Sequence, residues 1–135
     1  MNTTMTKMNK TVLLVDDDPD YMIQAEMMLK RMGFTVDTAV SQKEAESYIE
    51  ERKPDLVILD LMMENRDSGF ILSRVIKMKY PDVPVIIATA VTSETGMIFG
   101  IDTEEERHWI KADAYIEKGI REDQLHREIR RLLKM

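Results

Sequence analysis

The feature that most constrains this chain is an alternation of short, continuous apolar runs with stretches of helical periodicity. Thr11–Val15 (TVLLV), residues 55–59 (DLVIL) and residues 83–89 (VPVIIAT) carry almost no polar positions. Such runs are strands covered on both faces, because a half-exposed strand would alternate. Residues 34–39 do alternate, and Ala114–Glu117 is short and mixed, which suits two edge strands. Pro84 falls near the start of its run, where a missing N–H donor is tolerated.

Helical patterns fill the gaps. Residues 19–32 put Met22, Ala25, Leu29 and Met32 on one stripe, and Gly33 supplies a left-handed stop. Residues 41–52 open with a capping box, Ser41 and Glu44, and turn Ala45, Tyr48 and Ile49 inward. In residues 68–80 the inward set is Ile71, Leu72, Val75 and Ile76, with Pro81 closing the helix. A fourth helix is expected from Thr103, where Thr103 and Glu106 form another capping box, and a fifth over Glu122–Leu133 with Leu125, Ile129, Leu132 and Leu133 inward. Five strands alternating with five helices imply an α/β architecture, a doubly wound parallel sheet with right-handed crossovers. Placing the most apolar strands at the centre gives the flavodoxin-like order 2-1-3-4-5. A lengthened loop, residues 92–102, follows strand 4. Its apolar triplet Met97-Ile98-Phe99 reads as a lid or partner surface, or as an extra helical turn. The polar residues 1–10 are expected to be a flexible tail and residues 11–135 one domain, with no output domain after the last helix.

Composition removes several classes of function. No apolar run approaches the roughly 20 residues of a bilayer crossing, so no membrane role is expected. A net charge of −6 lacks the concentrated basic face that nucleic acid requires. Arg127, Arg130, Arg131 and Lys134 suit a helix C-terminus instead. The absence of cysteine excludes disulfides and thiolate chemistry and fits a cytoplasmic protein. His108, His126 and Trp109 read as helix residues rather than ligands.

In an open parallel sheet the ligand site lies at the carboxyl ends of the strands. Strand 1 runs into Asp16-Asp17-Asp18, strand 3 into Asp60, strand 4 into Thr89 and strand 5 into Lys118. Carboxylates converging there would repel one another, and a hard divalent cation such as Mg2+ removes that cost. A carboxylate beside such a metal can attack a phosphoryl group, while a lysine and a hydroxyl neutralise the transferring oxygens. Asp18 has a simpler role: followed by Pro19, it is a helix N-cap and stays outside the site.

VLLVDDDPD, DLVILDLMM, VIIATA and ADAYIEKG together resemble the landmarks of the response-regulator receiver family, in its single-domain, chemotaxis-regulator-like form. The resemblance implies that Asp60 is the phosphate acceptor and that Asp17 binds Mg2+ directly while Asp16 acts through water. It further implies that the Met62 backbone carbonyl completes the metal shell and that Thr89, Ala90 and Lys118 contact the phosphoryl group. Thr89 and Tyr115 would then be the switch residues. It implies a sensor histidine kinase or phosphotransfer protein as phosphodonor, and a downstream protein reached through the face of the fourth helix, fifth strand and fifth helix. The chain departs from the family pattern at Glu64 and Gly119, where proline is usual, at Ser68 before Gly69, and in the length of residues 89–118. Two rivals stand beside it. In a haloacid-dehalogenase-type phosphatase, Asp16 would be the nucleophile and Asp18 the acid, leaving Asp60 idle. A purely structural interaction module would take no phosphate.

Overall fold

The computed structural model describes residues 10–61, 63, 65, 68–89 and 112–135. Five strands, β1 (Thr11–Val15), β2 (Thr35–Ala39), β3 (Leu56–Asp60), β4 (Val85–Thr89) and β5 (Ala114–Glu117), form one sheet in the order β2-β1-β3-β4-β5. Every neighbouring pair is parallel. The three continuous apolar runs are the three inner strands, as expected. β1 is buried from Val12 onward, and β3 and β4 throughout, whereas β2 and β5 are partly exposed.

Strand alternation sends successive side chains to opposite faces, so the sheet carries two cores. Val12, Leu14, Leu56, Ile58, Ile86, Ala88 and Ile116 meet helices α1 (Pro19–Arg31) and α4 (Glu122–Leu133) through Met22, Ala25, Leu29, Leu125 and Ile129. Leu13, Val15, Val57, Leu59, Val85 and Ile87 meet α2 (Gln42–Glu51) and α3 (Ser68–Lys79) through Ala45, Ile49, Leu72 and Ile76. α4 is the helix expected fifth in the sequence. The helix expected from Thr103 and the 92–102 loop lie outside the described residues.

Local chemistry fixes the ends. Asp18 Oδ1 accepts the N–H of Asp20 at 3.0 Å and of Tyr21 at 3.4 Å, and Pro19 opens α1. Past its C-terminus, the Gly33 N–H donates to Lys30 O and the Phe34 N–H to Leu29 O, a Schellman closure with Gly33 at φ 98°. Ser41 Oγ accepts the Glu44 N–H at 3.0 Å, while Glu44 reaches back to the Val40 N–H at 3.3 Å. At the amino edge of the sheet, Asp55 and Asp113 repeat one device. Each uses its carboxylate and its own N–H to bind the first residue of the adjacent strand, Thr11 and Val85 respectively.

One inward assignment is corrected. Ile71 is 39% exposed and Val75 only half-buried. The inner stripe of α3 is Gly69, Leu72, Ser73 and Ile76, which follows the i, i+3, i+4, i+7 spacing. Two of its members are small, so a count of apolar residues alone slides the stripe by one position. Leu72→Ala should therefore destabilise the fold by about 2–5 kcal/mol and Ile71→Ala by less than about 1 kcal/mol, measured by denaturant unfolding. Equal losses would contradict this orientation of α3.

Candidate functional site

Parallel register brings the strand ends into line. Asp60 pairs with Ala88, Thr89 pairs with Glu117, and the Lys118 N–H donates to Thr89 O at 3.0 Å. The Asp16 N–H donates to Ala39 O at 3.1 Å, which carries β1 one residue beyond its end. Asp16 is 1% exposed and Asp60 7%. Both carboxylates face the same ammonium: Lys118 Nζ lies 2.9 Å from Asp16 Oδ2 and 3.3 Å from Asp60 Oδ2. Asp16 Oδ1 accepts the Asp18 N–H at 2.9 Å, and Oδ2 is buried with no hydrogen bond beyond that ion pair.

Asp17 is exposed, yet Asp16, Asp17 and Asp60 each present an oxygen within 4.8 Å of the others. Among the described residues, three carboxylates against one ammonium leave two negative charges, the charge a divalent cation cancels. A buried carboxylate oxygen served only by an ammonium, within a set made wholly of oxygen donors, fits a hard dication. Burial pulls the Lys118 pKa down, but the hydrogen bond to Asp16 and the charges of Asp60 and Asp16 outweigh it. The net shift is upward, so the lysine is an ammonium at neutral pH.

Among the sequence-predicted site residues, the structure thus gathers Asp16, Asp17, Asp60 and Lys118. Thr89 is buried at the end of β4, one residue past the partner of Asp60. Tyr115 is half-buried and packs on the α2–α3 side of the sheet. Met62, Ala90 and Glu64 lie outside the described residues. Asp18 spends its carboxylate capping α1, which removes the acid that a haloacid-dehalogenase-type reading needs.

Two contributors escaped the sequence reading. Tyr21, in the first turn of α1, is 8% exposed, and Lys118 Nζ stands 5.1 Å from its ring centroid. Burial, with the charges of Asp16 and Asp60 behind it, raises the phenol pKa and keeps the hydroxyl protonated. Its i+4 and i+8 neighbours Ala25 and Leu29 were legible as a stripe, and extending that stripe one turn back would have found it. The second is Gly69. A Cβ there would sit 2.5 Å from Asp60 O and 2.7 Å from Leu61 Cα, both backbone atoms. The Gly69 N–H donates to Leu61 O at 2.9 Å, and Ser68 Oγ accepts the Asn65 N–H at 3.0 Å, so the start of α3 presses on the end of β3.

Response regulator receiver domain is the description of the family model that matches residues 12–130, and the chain belongs to that family. Solved structures agree in fold. A two-component response regulator from Clostridium difficile is 21% identical, with 93% of this chain and 97% of that one covered at a TM-score of 0.77. A CheY-like receiver domain protein from Methanospirillum hungatei JF-1 is 23% identical, covering 93% and 94% at 0.77. A response regulator protein from Thermotoga maritima, in complex with Mg2+-BeF, is 28% identical, covering 91% and 98% at 0.75.

Gly69→Ala should cost about 1–3 kcal/mol in denaturant unfolding, because neither backbone neighbour is the end of a flexible side chain. A neutral substitution would show that α3 and β3 are less closely pressed than the geometry states.

Proposed function

We propose that Asp60 accepts a phosphoryl group from a phosphohistidine on a sensor histidine kinase or phosphotransfer protein. The reading rests above all on one observation: a single ammonium, Lys118, lies within ion-pair reach of both buried carboxylates at the ends of β1 and β3. An Asp60 oxygen would attack phosphorus, the P–N bond would break, and its electron pair would leave on the imidazole, which takes up a proton. The product is an aspartyl phosphate, which water later hydrolyses back to carboxylate and inorganic phosphate. Lys118 would exchange its pairing with Asp60 for one with a phosphoryl oxygen, a short move because its charge already lies beside the reacting carboxylate. Thr89 would donate its hydroxyl to the phosphoryl group, with Ala90 beside it.

Asp17 directly, Asp16 through water, Asp60 and the Met62 carbonyl would hold Mg2+. When bound, that ion supplies positive charge that offsets the oxygens of the transferring group. That the Thermotoga relative was solved in complex with Mg2+-BeF supports a role for a dication in this reading.

Phosphorylation would act as a signal by biasing two conformations. Differential contacts of the phosphoryl group with Thr89, coupled to Tyr115, would change the face built from the helix expected at Thr103, β5 and α4, and so alter binding of a downstream protein. The reading includes a cytoplasmic location shared with the phosphodonor. Among the described residues no helix is long and apolar enough to cross a membrane.

Intact-mass measurement after incubation with acetyl phosphate and Mg2+ tests the proposal. Wild type should gain one phosphoryl group, and Asp60→Asn or added chelator should abolish the gain. An adduct that persists in Asp60→Asn would overturn the assignment.

A further inference from the structure

We propose that Tyr21 is a positioning residue for phosphoryl transfer: its buried ring holds the Lys118 ammonium in the pocket without occupying the N–H donors that the phosphoryl group must use. The inference rests on the Asp60 reading and extends it to a residue outside the acid cluster.

The backbone around Lys118 does little to choose the rotamer that brings its ammonium to Asp16 and Asp60. Lys118 lies in the turn after β5, in which the Ile120 N–H donates to Glu117 O, and it is followed by exposed Gly119, whose Cβ position meets nothing within 4 Å. A four-carbon side chain in such a loop has many rotamers, and only some place Nζ between Asp16 and Asp60. Tyr21, in the first turn of α1, offers its ring to that ammonium, 5.1 Å from ring centroid to Nζ.

The backbone that carries the ring belongs to a circuit of contacts that closes on Asp16. Asp16 Oδ1 accepts the Asp18 N–H, Asp18 Oδ1 accepts the N–H groups of Asp20 and Tyr21, and the Tyr21 ring meets Lys118, which returns to Asp16. The N-cap of α1 therefore sets the ring and the first acid together. A hydrogen-bonding partner in that place would compete with the incoming phosphoryl oxygens. An aromatic face attracts the cation through its quadrupole and leaves the donors available.

The test compares wild type, Tyr21→Phe and Tyr21→Leu, with Tyr21→Met as a second non-aromatic variant should the leucine fail to fold. The rate of phosphoryl uptake from acetyl phosphate should stay within about twofold in Tyr21→Phe and fall by about three- to tenfold in the non-aromatic variant. Side-chain NMR of the chain without Mg2+ or phosphate supplies an independent readout. The Lys118 ε-CH2 resonances should be shifted upfield by the ring in wild type and Tyr21→Phe, and return toward free lysine in the non-aromatic variant. A wild-type rate in the non-aromatic variant, or a Tyr21→Phe rate as low as that variant's, would overturn the proposal. So would identical Lys118 resonances in all proteins. If wild type takes up no phosphoryl group, the Asp60 reading fails, while the resonances still decide whether the ring holds the lysine.

Discussion

The ammonium of Lys118 stands between two carboxylates that are nearly sealed from water, and the rest of the pocket follows from the charge this arrangement leaves over. An isolated buried carboxylate costs several kcal/mol, and removing one partner of a buried pair leaves that cost uncompensated. Lys118 offsets part of it for Asp16 and Asp60 together. With Asp17 at the rim, the cluster among the described residues still carries an excess of negative charge facing outward, where the proposed cation and phosphoryl donor would arrive. The pocket is thus poised: stable enough to form on folding, yet short of the positive charge that would make it inert.

That arrangement demands close control of backbone position, and the fold supplies it from several directions. Parallel register aligns the carboxyl ends of β1, β3, β4 and β5 to within a residue or two. Two buried cores, one on each face, leave the inner strands little freedom to slide. Gly69 lets α3 approach the carbonyl of Asp60 itself, and the cap of α1 ties Asp16, Asp18 and Tyr21 into one unit. Residues that hold the fold together therefore also shape the site, and the turn between β1 and α1 is more tightly constrained than most surface connections.

Much of this was legible in the residue order. TVLLV, DLVIL and VIIAT announced buried strands because nothing polar interrupts them, and Asp18-Pro19 and Gly33 marked where α1 begins and ends. The acids at the strand ends announced the site, since strand ends in such a sheet are where ligands meet the chain. What escaped did so for separate physical reasons. Gly69 and Ser73 contribute to packing by being small, and a search for apolar residues passes over them toward Ile71. Tyr21 matters through the face of its ring, a property shared with every tyrosine in the chain until folding brings Lys118 over it. Nor does the order of Asp16 and Asp17 say which is buried. That is decided by β1 extending one residue further, through the bond from Asp16 N to Ala39 O.

The central claim is that the acid cluster is completed by a divalent cation. Calorimetric titration of Mg2+ into wild type and Asp17→Asn tests it most directly. The account predicts one ion bound per wild-type chain and an affinity at least about tenfold weaker in the variant, in which an ionised oxygen ligand becomes a neutral amide. No binding by wild type, or equal binding by both proteins, would contradict it.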